Sequence, residues 1–259
     1  MNCEICGSKT GIIFNAKILN KYQIDYYFCE NCRFLRTEKP FWLSESYVES
    51  VNIYDTGIML RNISLSKITA AILFFLFDKN AKYLDFGGGY GIFTRLMRDI
   101  GFDFYWQDPY TQNLTARGFE YNENVKNIKA ITCFEAFEHF VEPIKEIESM
   151  LRISKNILFS TALLPDIIPP INQWSYYGFE HGQHISFYSF KSLELIARKY
   201  KLNLYSTKNI HLFTEQRFHP LIFKKLVKLA GRDRFIFVKK MMKSKTFSDQ
   251  QDLIIKTKR

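Results

Sequence analysis

The 259-residue sequence has no uninterrupted apolar run long enough to span a bilayer. Its longest, Ala70 to Phe77, falls far short of the ~20 residues a spanning helix needs. The opening residues, Met1-Asn2-Cys3-Glu4, lack the basic n-region and apolar h-region of a secretory signal, so a cytoplasmic location is expected. Internal repeats and low-complexity tracts are also missing, so nothing points to a repeat array. Cysteine is scarce, five in all, and without a secretory signal a disulfide framework is disfavoured.

What is present describes a folded chain. Hydrophobic residues at 47% and charged residues at 24% argue against disorder over most of the length. The length suits one substantial core with a small appendage. Aromatic content is high, with 25 Phe and 15 Tyr, which predicts a Phe-rich core and an aromatic-lined pocket. The net charge of +10 is uneven: Leu221 to Arg259 holds twelve Lys/Arg against Asp233, Asp249 and Asp252. Such a patch suits a phosphate, an acidic lipid surface or RNA, and equally a solvated helix face.

Three regions follow one another. Residues 1–40 are short, turn-rich and carry four cysteines. Residues 41–80 read as a helical lead-in, with Met59, Ile63, Ile68, Ile72 and Phe75 at near-helical spacing. From Lys82 short apolar runs alternate with helical stretches, the α/β pattern. Strands are predicted at Tyr83–Phe86, Phe104–Gln107, Ala130–Phe134, Asn156–Ser160, Leu202–Thr207 and Leu253–Thr257. Helices are predicted near Ile92–Asp99, Ile144–Leu151 and Ser189–Tyr200, with Ser189 as N-cap and Ser192 in the capping-box position.

Cys3-x2-Cys6 and Cys29-x2-Cys32 are two knuckles separated by 22 residues. That spacing places four thiolates around a structural Zn2+ and leaves no open coordination position. Cys133 reads as a small buried hydrophobe.

The central motif is Asp85-Phe86-Gly87-Gly88-Gly89-Tyr90-Gly91, between a strand and a helix, with Asp108 after the next apolar run. Glycines let the backbone approach a ligand closely. An acid at the end of the second strand can accept both hydroxyls of an adenosine ribose. The acid ahead of the turn would repel a pyrophosphate, and it suits a ligand with a cationic end.

Four motifs carry a resemblance: Leu84 to Gly91; Trp106 to Tyr110; Phe134-Glu135-Ala136-Phe137-Glu138-His139; and Gly182-Gln183-His184-Ile185-Ser186-Phe187-Tyr188. With them the chain resembles the class I S-adenosylmethionine-dependent methyltransferases, from about Cys3 to Phe213. More narrowly it looks like the bacterial small-molecule and sugar-modifying group with an N-terminal zinc ribbon. The resemblance implies a doubly wound, mostly parallel seven-stranded Rossmann-like sheet whose last, antiparallel strand would be Asp252–Lys258. Residues 217–248 would then be a basic helical insertion before it. The short span between Asp108 and the fourth strand implies an abbreviated third strand. By the same resemblance Asp85, Gly87, Gly88, Gly89 and Gly91 hold the methionine moiety of S-adenosyl-L-methionine, and Asp108 the ribose. Phe134, Glu135 and Ala136 would flank the adenine and sulfonium.

Methyl transfer to a hydroxyl needs a base, and histidine suits neutral pH. The candidates, in order, are His184, His181 and His139, with Glu180 to orient one of them. The aromatic segment holding Trp174, Tyr176 and Tyr177 is expected to line the acceptor site or else to pin its loop to the core. The segment Phe218–Met242 reads as an amphipathic helical pair split near Gly231. It would cap the acceptor, rest on an anionic membrane, or simply pack. The expected function is methylation of a small molecule, a sugar or glycan precursor that is phosphorylated or lipid-linked. The alternative is an RNA methyltransferase that grips phosphates through the ribbon and basic tail. A non-catalytic S-adenosylmethionine-binding protein is a third reading. Oligomeric state is not legible.

Overall fold

The structure, a computed structural model, describes residues 1–48, 51–230 and 235–257. The hairpin β1 (Gly11–Ile18) and β2 (Tyr22–Phe28) leads to β3 (Leu35–Thr37), α1 (Leu43–Ser46) and the long α2 (Ile58–Leu76). Next come β4 (Lys82–Phe86), α3 (Ile92–Ile100), β5 (Asp103–Gln107), β6 (Ile128–Cys133), α4 (Pro143–Ile153) and β7 (Ile157–Ser160). Then follow β8 (Ser186–Phe187), α5 (Phe190–Lys199), β9 (Asn203–Ser206) and β10 (Ile210–Thr214). Three helices close the chain: α6 (Pro220–Ala230), α7 (Ile236–Met241) and α8 (Thr246–Thr257).

The larger sheet runs β5-β4-β6-β7-β10-β9, and the smaller β1-β2-β3-β8. The fold is therefore α/β with a mostly parallel central sheet. Six strands, not the expected seven, make up that sheet among the described residues. The antiparallel member is β10, paired with β9 from His211↔Ser206 to Thr214↔Asn203. The segment expected to supply the last strand is instead α8, and Lys258 lies outside the described residues. Its Asp249-to-Leu253 stretch keeps helical spacing, and Asp249 is buried on one helix face. The basic helices therefore follow the sheet and are not an insertion within it. The third strand is reduced to one parallel bridge, Trp106↔Glu120.

The chain divides into two compact units, both discontinuous in sequence. One comprises Met1–Asn52, Phe134–Lys155 and Phe159–Arg217; the other Ile53–Cys133, Asn156–Leu158 and Phe218–Arg259. The expected boundaries at 40 and 80 fall inside these units.

In the first unit both cysteine knuckles make the same turn. Gly7 and Arg33, each next after the second cysteine of its pair, have φ of 73° and 59°. Their N–H groups donate to the Cys3 and Cys29 carbonyls at 2.8 and 2.7 Å. The ribbon does not stand alone. β3 pairs with β8, and Ile18, Ile24, Tyr26 and Trp42 share one buried cluster with Leu164, Tyr177, Ile185 and Phe187. The Ser189 hydroxyl donates to the Cys32 carbonyl at 2.9 Å. Ser189 and Ser192 form the expected reciprocal cap of α5.

In the second unit β4 pairs in parallel with β5 and β6. Tyr83, Phe93, Phe102 and Phe104 fill the layer beside β4 with stacked and edge-on rings. α2 is long and apolar enough, by length and composition, to cross a membrane, although no single apolar run in it is. Its Leu65, Ser66 and Thr69 to Leu73 are buried, and it packs on α3 and α6. α8 is held by Asp249, whose two oxygens accept from Arg98 at 2.8 and 2.7 Å and one also from Arg95 at 2.9 Å. Gly231, the expected break between α6 and α7, lies outside the described residues.

Candidate active site

The glycine turn follows β4 because only glycine fits there. A β-carbon on Gly88 would stand 2.6 Å from the Trp106 ring and 2.8 Å from Asp85 Oδ2. At Gly91 φ is 83°, and a β-carbon would meet Asn113 Oδ1 at 2.6 Å. Trp106 locks the turn from the side, its Nε1–H donating to the Gly89 carbonyl at 2.8 Å. Gly87 and Gly88 N–H both reach the Gln107 carbonyl, at 2.8 and 3.2 Å. The first two strand ends are therefore stitched together before any ligand arrives.

Asp108 is half-buried at the mouth of this turn. Oδ2 accepts the Gly89 N–H at 2.9 Å, and Oδ1 accepts Tyr110 and Thr111 N–H at 2.8 and 2.9 Å. A carboxylate offers about four acceptor positions, so Asp108 keeps one beyond its three turn contacts. Asp85 occupies a different place from the one expected. It is buried under the turn, with Oδ1 accepting from Thr132 and Oδ2 from Thr94, both at 3.0 Å. It supports the cradle from below, each of its oxygens bonded to one threonine hydroxyl. Burial pushes its carboxyl up to about 7, with Asp108 adding to the rise.

Asp85→Asn removes that titration. A carboxyl raised in the folded state contributes stability below its unfolded value and loses it as pH rises through about 7. Urea unfolding should therefore show wild-type stability falling relative to the variant between about pH 4 and 7, by up to roughly 1.4 kcal/mol per pH unit. A difference that stays flat with pH contradicts the assignment.

In the first unit, Phe134, Glu135 and Ala136 directly follow β6. Glu135 has φ of 52°, a conformation that side chains larger than glycine rarely hold without a reason. Ser160, at the end of β7, clamps it twice: Oγ accepts the Glu135 N–H at 2.8 Å and donates to Oε1 at 2.6 Å. Phe137 to His139 form a single 3-10 turn.

The three histidines gather in this unit. His184 lies 5.0 Å from His139 and 4.8 Å from His181, ring centre to ring centre. His184 Nδ1–H donates to the Tyr176 carbonyl at 2.6 Å. His139 Nδ1 faces the Gln183 carbonyl at 3.0 Å and the Tyr47 hydroxyl at 2.8 Å. The carbonyl partner assigns the His184 proton to Nδ1 and leaves its Nε2 with the lone pair, whereas His139 stands between a carbonyl and a hydroxyl. His181 is the reverse of His184: its Nδ1 accepts the Gln183 N–H at 3.1 Å, so the proton sits on Nε2. Burial lowers His184 to about 3, with His139 adding to the shift, and lowers His139 to about 4. Both rings are neutral at pH 7.

Glu180 is exposed and orients none of these rings among the described residues; the carbonyls of Tyr176 and Gln183 do so. The aromatic loop is pinned to the core. Tyr177 is buried, donates to the Pro169 carbonyl at 2.8 Å, and packs on Phe14, Tyr26 and Phe179. Trp174 stacks edge-on against Tyr177 at 4.8 Å. The Tyr176 hydroxyl is committed to Thr161 and the Ala162 N–H. Tyr176 and Tyr177 thus hold the loop, and Tyr176 also packs on His184 at 4.7 Å. Sequence reasoning missed Trp106, Ser160, Gln183 and Tyr47, whose roles depend on contacts made far along the chain. It quoted Glu138 without giving it a role.

The donor sets fit their expected ligands. The four cysteine sulfurs lie within 4.8 Å of one another, with Cys3–Cys32 and Cys6–Cys29 both at 3.4 Å and all thiols free. Four sulfurs about 2.3 Å from a zinc ion stand about 3.8 Å apart, so the cluster needs only small adjustment. In the glycine turn Gly89 faces open space beside the Asp108 carboxylate, whereas Gly88 and Gly91 are packed against Trp106, Asp85 and Asn113.

A family model described as a methyltransferase domain matches residues 59–207. No curated protein matches the chain. Among solved structures, the magnesium protoporphyrin IX methyltransferase of Synechocystis PCC 6803 with bound SAH is 12% identical, with 66% of this chain and 90% of that one covered at a TM-score of 0.42. The plantazolicin methyltransferase BpumL in complex with SAH is 12% identical, with 73% and 81% covered at 0.46. CalO1, a methyltransferase in calicheamicin biosynthesis in its SAH-bound form, is 13% identical, with 68% and 60% covered at 0.45. The family match spans more than half of the sequence and includes the glycine turn, Asp108 and all three clustered histidines. The chain belongs to the methyltransferase domain family.

Proposed function

We propose that the protein methylates a hydroxyl of a small-molecule acceptor, a sugar or glycan precursor, with a structural Zn2+ in the cysteine ribbon. The sulfonium supplies the methyl group with a neutral, already good leaving group. The chain's own work is therefore positioning and proton removal. The glycine turn and Asp108 take the adenosine end. The neutral imidazoles of the 139/181/184 cluster serve the acceptor, with the Nε2 lone pair of His184 as the group directed to it. That cluster carries the proposal: buried imidazoles are suited to a hydroxyl-bearing acceptor.

The RNA reading loses support at the ribbon. Arg36 is buried and paired with Glu4, Arg33 donates to the carbonyls of Pro165 and Asp166, and Lys21 pairs with Glu45. Lys9, Lys17 and Lys39 are the ribbon cations left exposed without such partners among the described residues. The exposed lysines of α6 and α7, with Leu221, Ile222 and Phe237 beside them, suit a phosphorylated or lipid-linked acceptor at an anionic surface.

Incubation with methyl-labelled S-adenosylmethionine and matched panels of nucleotide sugars, sugar phosphates and RNA tests this. Label is expected in a sugar fraction, with a weak dependence on salt. Label in RNA, with binding that falls steeply as salt rises, would overturn the acceptor class.

A further inference from the structure

We propose that Glu138, His139 and His184 form a divalent transition-metal site, distinct from the cysteine ribbon, whose open position takes an oxygen of the acceptor. One ring nitrogen from each histidine and a Glu138 carboxylate oxygen all lie within 4.8 Å of one another. Two imidazoles and one carboxylate are the donor set of catalytic zinc and of related transition-metal centres, and three ligands leave a fourth position open. Bonds of about 2.0–2.2 Å place neighbouring ligand atoms about 3.4 Å apart, so closure needs side-chain shifts of about an ångström.

Three observations point to an ion. Glu138 is 1% exposed, and its Oε2 has no hydrogen-bond partner. Among the described residues no ion pair involves Glu138, and a buried carboxylate oxygen left without a partner is costly. A cation between it and the two rings removes that cost. Next, the His184 ring is held by its Nδ1–H on the Tyr176 carbonyl, and the His139 ring is held between the Gln183 carbonyl and the Tyr47 hydroxyl. For His184 this is the outer-shell arrangement that fixes a metal-binding histidine with Nε2 as ligand. Finally, the two ligand segments are laced together. The Ile185 N–H donates to the Glu138 carbonyl at 2.9 Å, and the Ser186 hydroxyl to the Phe140 carbonyl at 2.8 Å. The ligands come from chain segments some 45 residues apart and yet are held in register by backbone contacts, as a pre-formed site requires.

The inference deepens the proposed methyl transfer and rests on it for the identity of the acceptor, but the metal site itself does not depend on it. An acceptor hydroxyl on the open position is acidified by the ion. Its proton leaves to solvent, the oxygen forms the bond to the methyl carbon, and the carbon–sulfur bond breaks with its electron pair retained by sulfur. The acceptor class narrows to molecules with a metal-binding oxygen, such as a hydroxyl of a sugar diol.

The test uses the full chain with the ribbon first filled with Zn2+. Co2+ is then titrated, with metal content, visible absorption and calorimetry followed together. One further ion per chain is expected, with Co2+ ligand-field bands and no thiolate charge-transfer absorption. Glu138→Gln and His184→Ala should each weaken it by more than the roughly 10–100-fold that outer-shell changes cost. His181→Ala should leave it in place. Glu138→Gln keeps the shape of the side chain, and circular dichroism of both variants confirms folding. A wild-type protein that takes up only the ribbon metal, or a folded His184→Ala protein that keeps the second ion, overturns the site. Uptake of S-adenosylhomocysteine, measured on the same samples, reports separately on the methyl-transfer reading.

Discussion

Removing metal from Cys3, Cys6, Cys29 and Cys32, by chelation or by Cys32→Ser, is expected to cost far more than a surface appendage would. Structural zinc contributes an apparent ~10–16 kcal/mol in isolated zinc-finger peptides at pH 7. Here the ribbon shares its core with the rest of its unit. Tyr26 and Trp42 pack in the cluster that contains Tyr177, Ile185 and Phe187, and β3 pairs with β8. The second knuckle also reaches outward, through the Cys32 carbonyl to Ser189 and through Arg33 to Pro165 and Asp166. Loss of zinc should therefore loosen the aromatic loop and the segment that carries His184. A loss of only about 5 kcal/mol lowers Tm by roughly 10–20 °C, at 2–4 °C per kcal/mol for chains of this size. Calorimetric melting before and after chelation, with near-ultraviolet circular dichroism of Trp42 and Trp174, measures it. Metal-free protein with an unchanged melting profile contradicts a structural ribbon.

Replacement of His184 by alanine is expected to lower kcat by about 10²–10⁴ and to leave affinity for S-adenosylhomocysteine unchanged within about threefold. The ring is fixed by its bond to the Tyr176 carbonyl, which turns its Nε2 to the ion and the acceptor. His181→Ala gives the contrast. Its Nδ1 is already taken by the Gln183 N–H, so a much smaller fall in kcat is expected. Steady-state kinetics on both variants, with cofactor affinity measured in parallel, separates the roles. If His184→Ala retains full turnover, or if it loses cofactor affinity to the same degree, the assignment fails.

Much of this architecture could be read from the chain because local rules and global packing agree. The runs at Tyr83, Phe104, Ala130, Asn156 and Leu202 are short and apolar and lie between turn residues, and each became a strand. The serine pair at the start of α5 capped it as its spacing predicts. The Leu253–Thr257 run failed because a short apolar stretch does not reveal its period. Asp249 four residues earlier, buried against Arg95 and Arg98, decided for a helix. β10 went unread because Ile210-His211-Leu212-Phe213-Thr214 hides a fully buried histidine, bonded to Thr161 and Ser206, inside a strand.

At the site, residue types were legible but their contacts were not. The motif placed Asp85 and Asp108 correctly relative to the turn. Only the fold shows that one lies under the cradle and the other at its mouth. The histidines stood out by chemistry, and the His184 tautomer follows from a carbonyl that no motif encodes. The aromatic segment looked like a lid because ring density is the same for a lid and for an anchor. Burial of Tyr177 within the ribbon's own cluster distinguishes the two.

The most direct measurement is calorimetric titration of zinc-replete protein with S-adenosylhomocysteine, wild type against Asp108→Ala. Asp108 ties down Gly89, Tyr110 and Thr111 N–H and keeps an acceptor position for the ribose. One molecule should bind per chain, and the variant should bind it more weakly by about 1–3 kcal/mol, roughly 5- to 150-fold. A folded wild-type protein that takes up none, or a variant that binds as tightly as the parent, contradicts the placement of adenosine on the glycine turn.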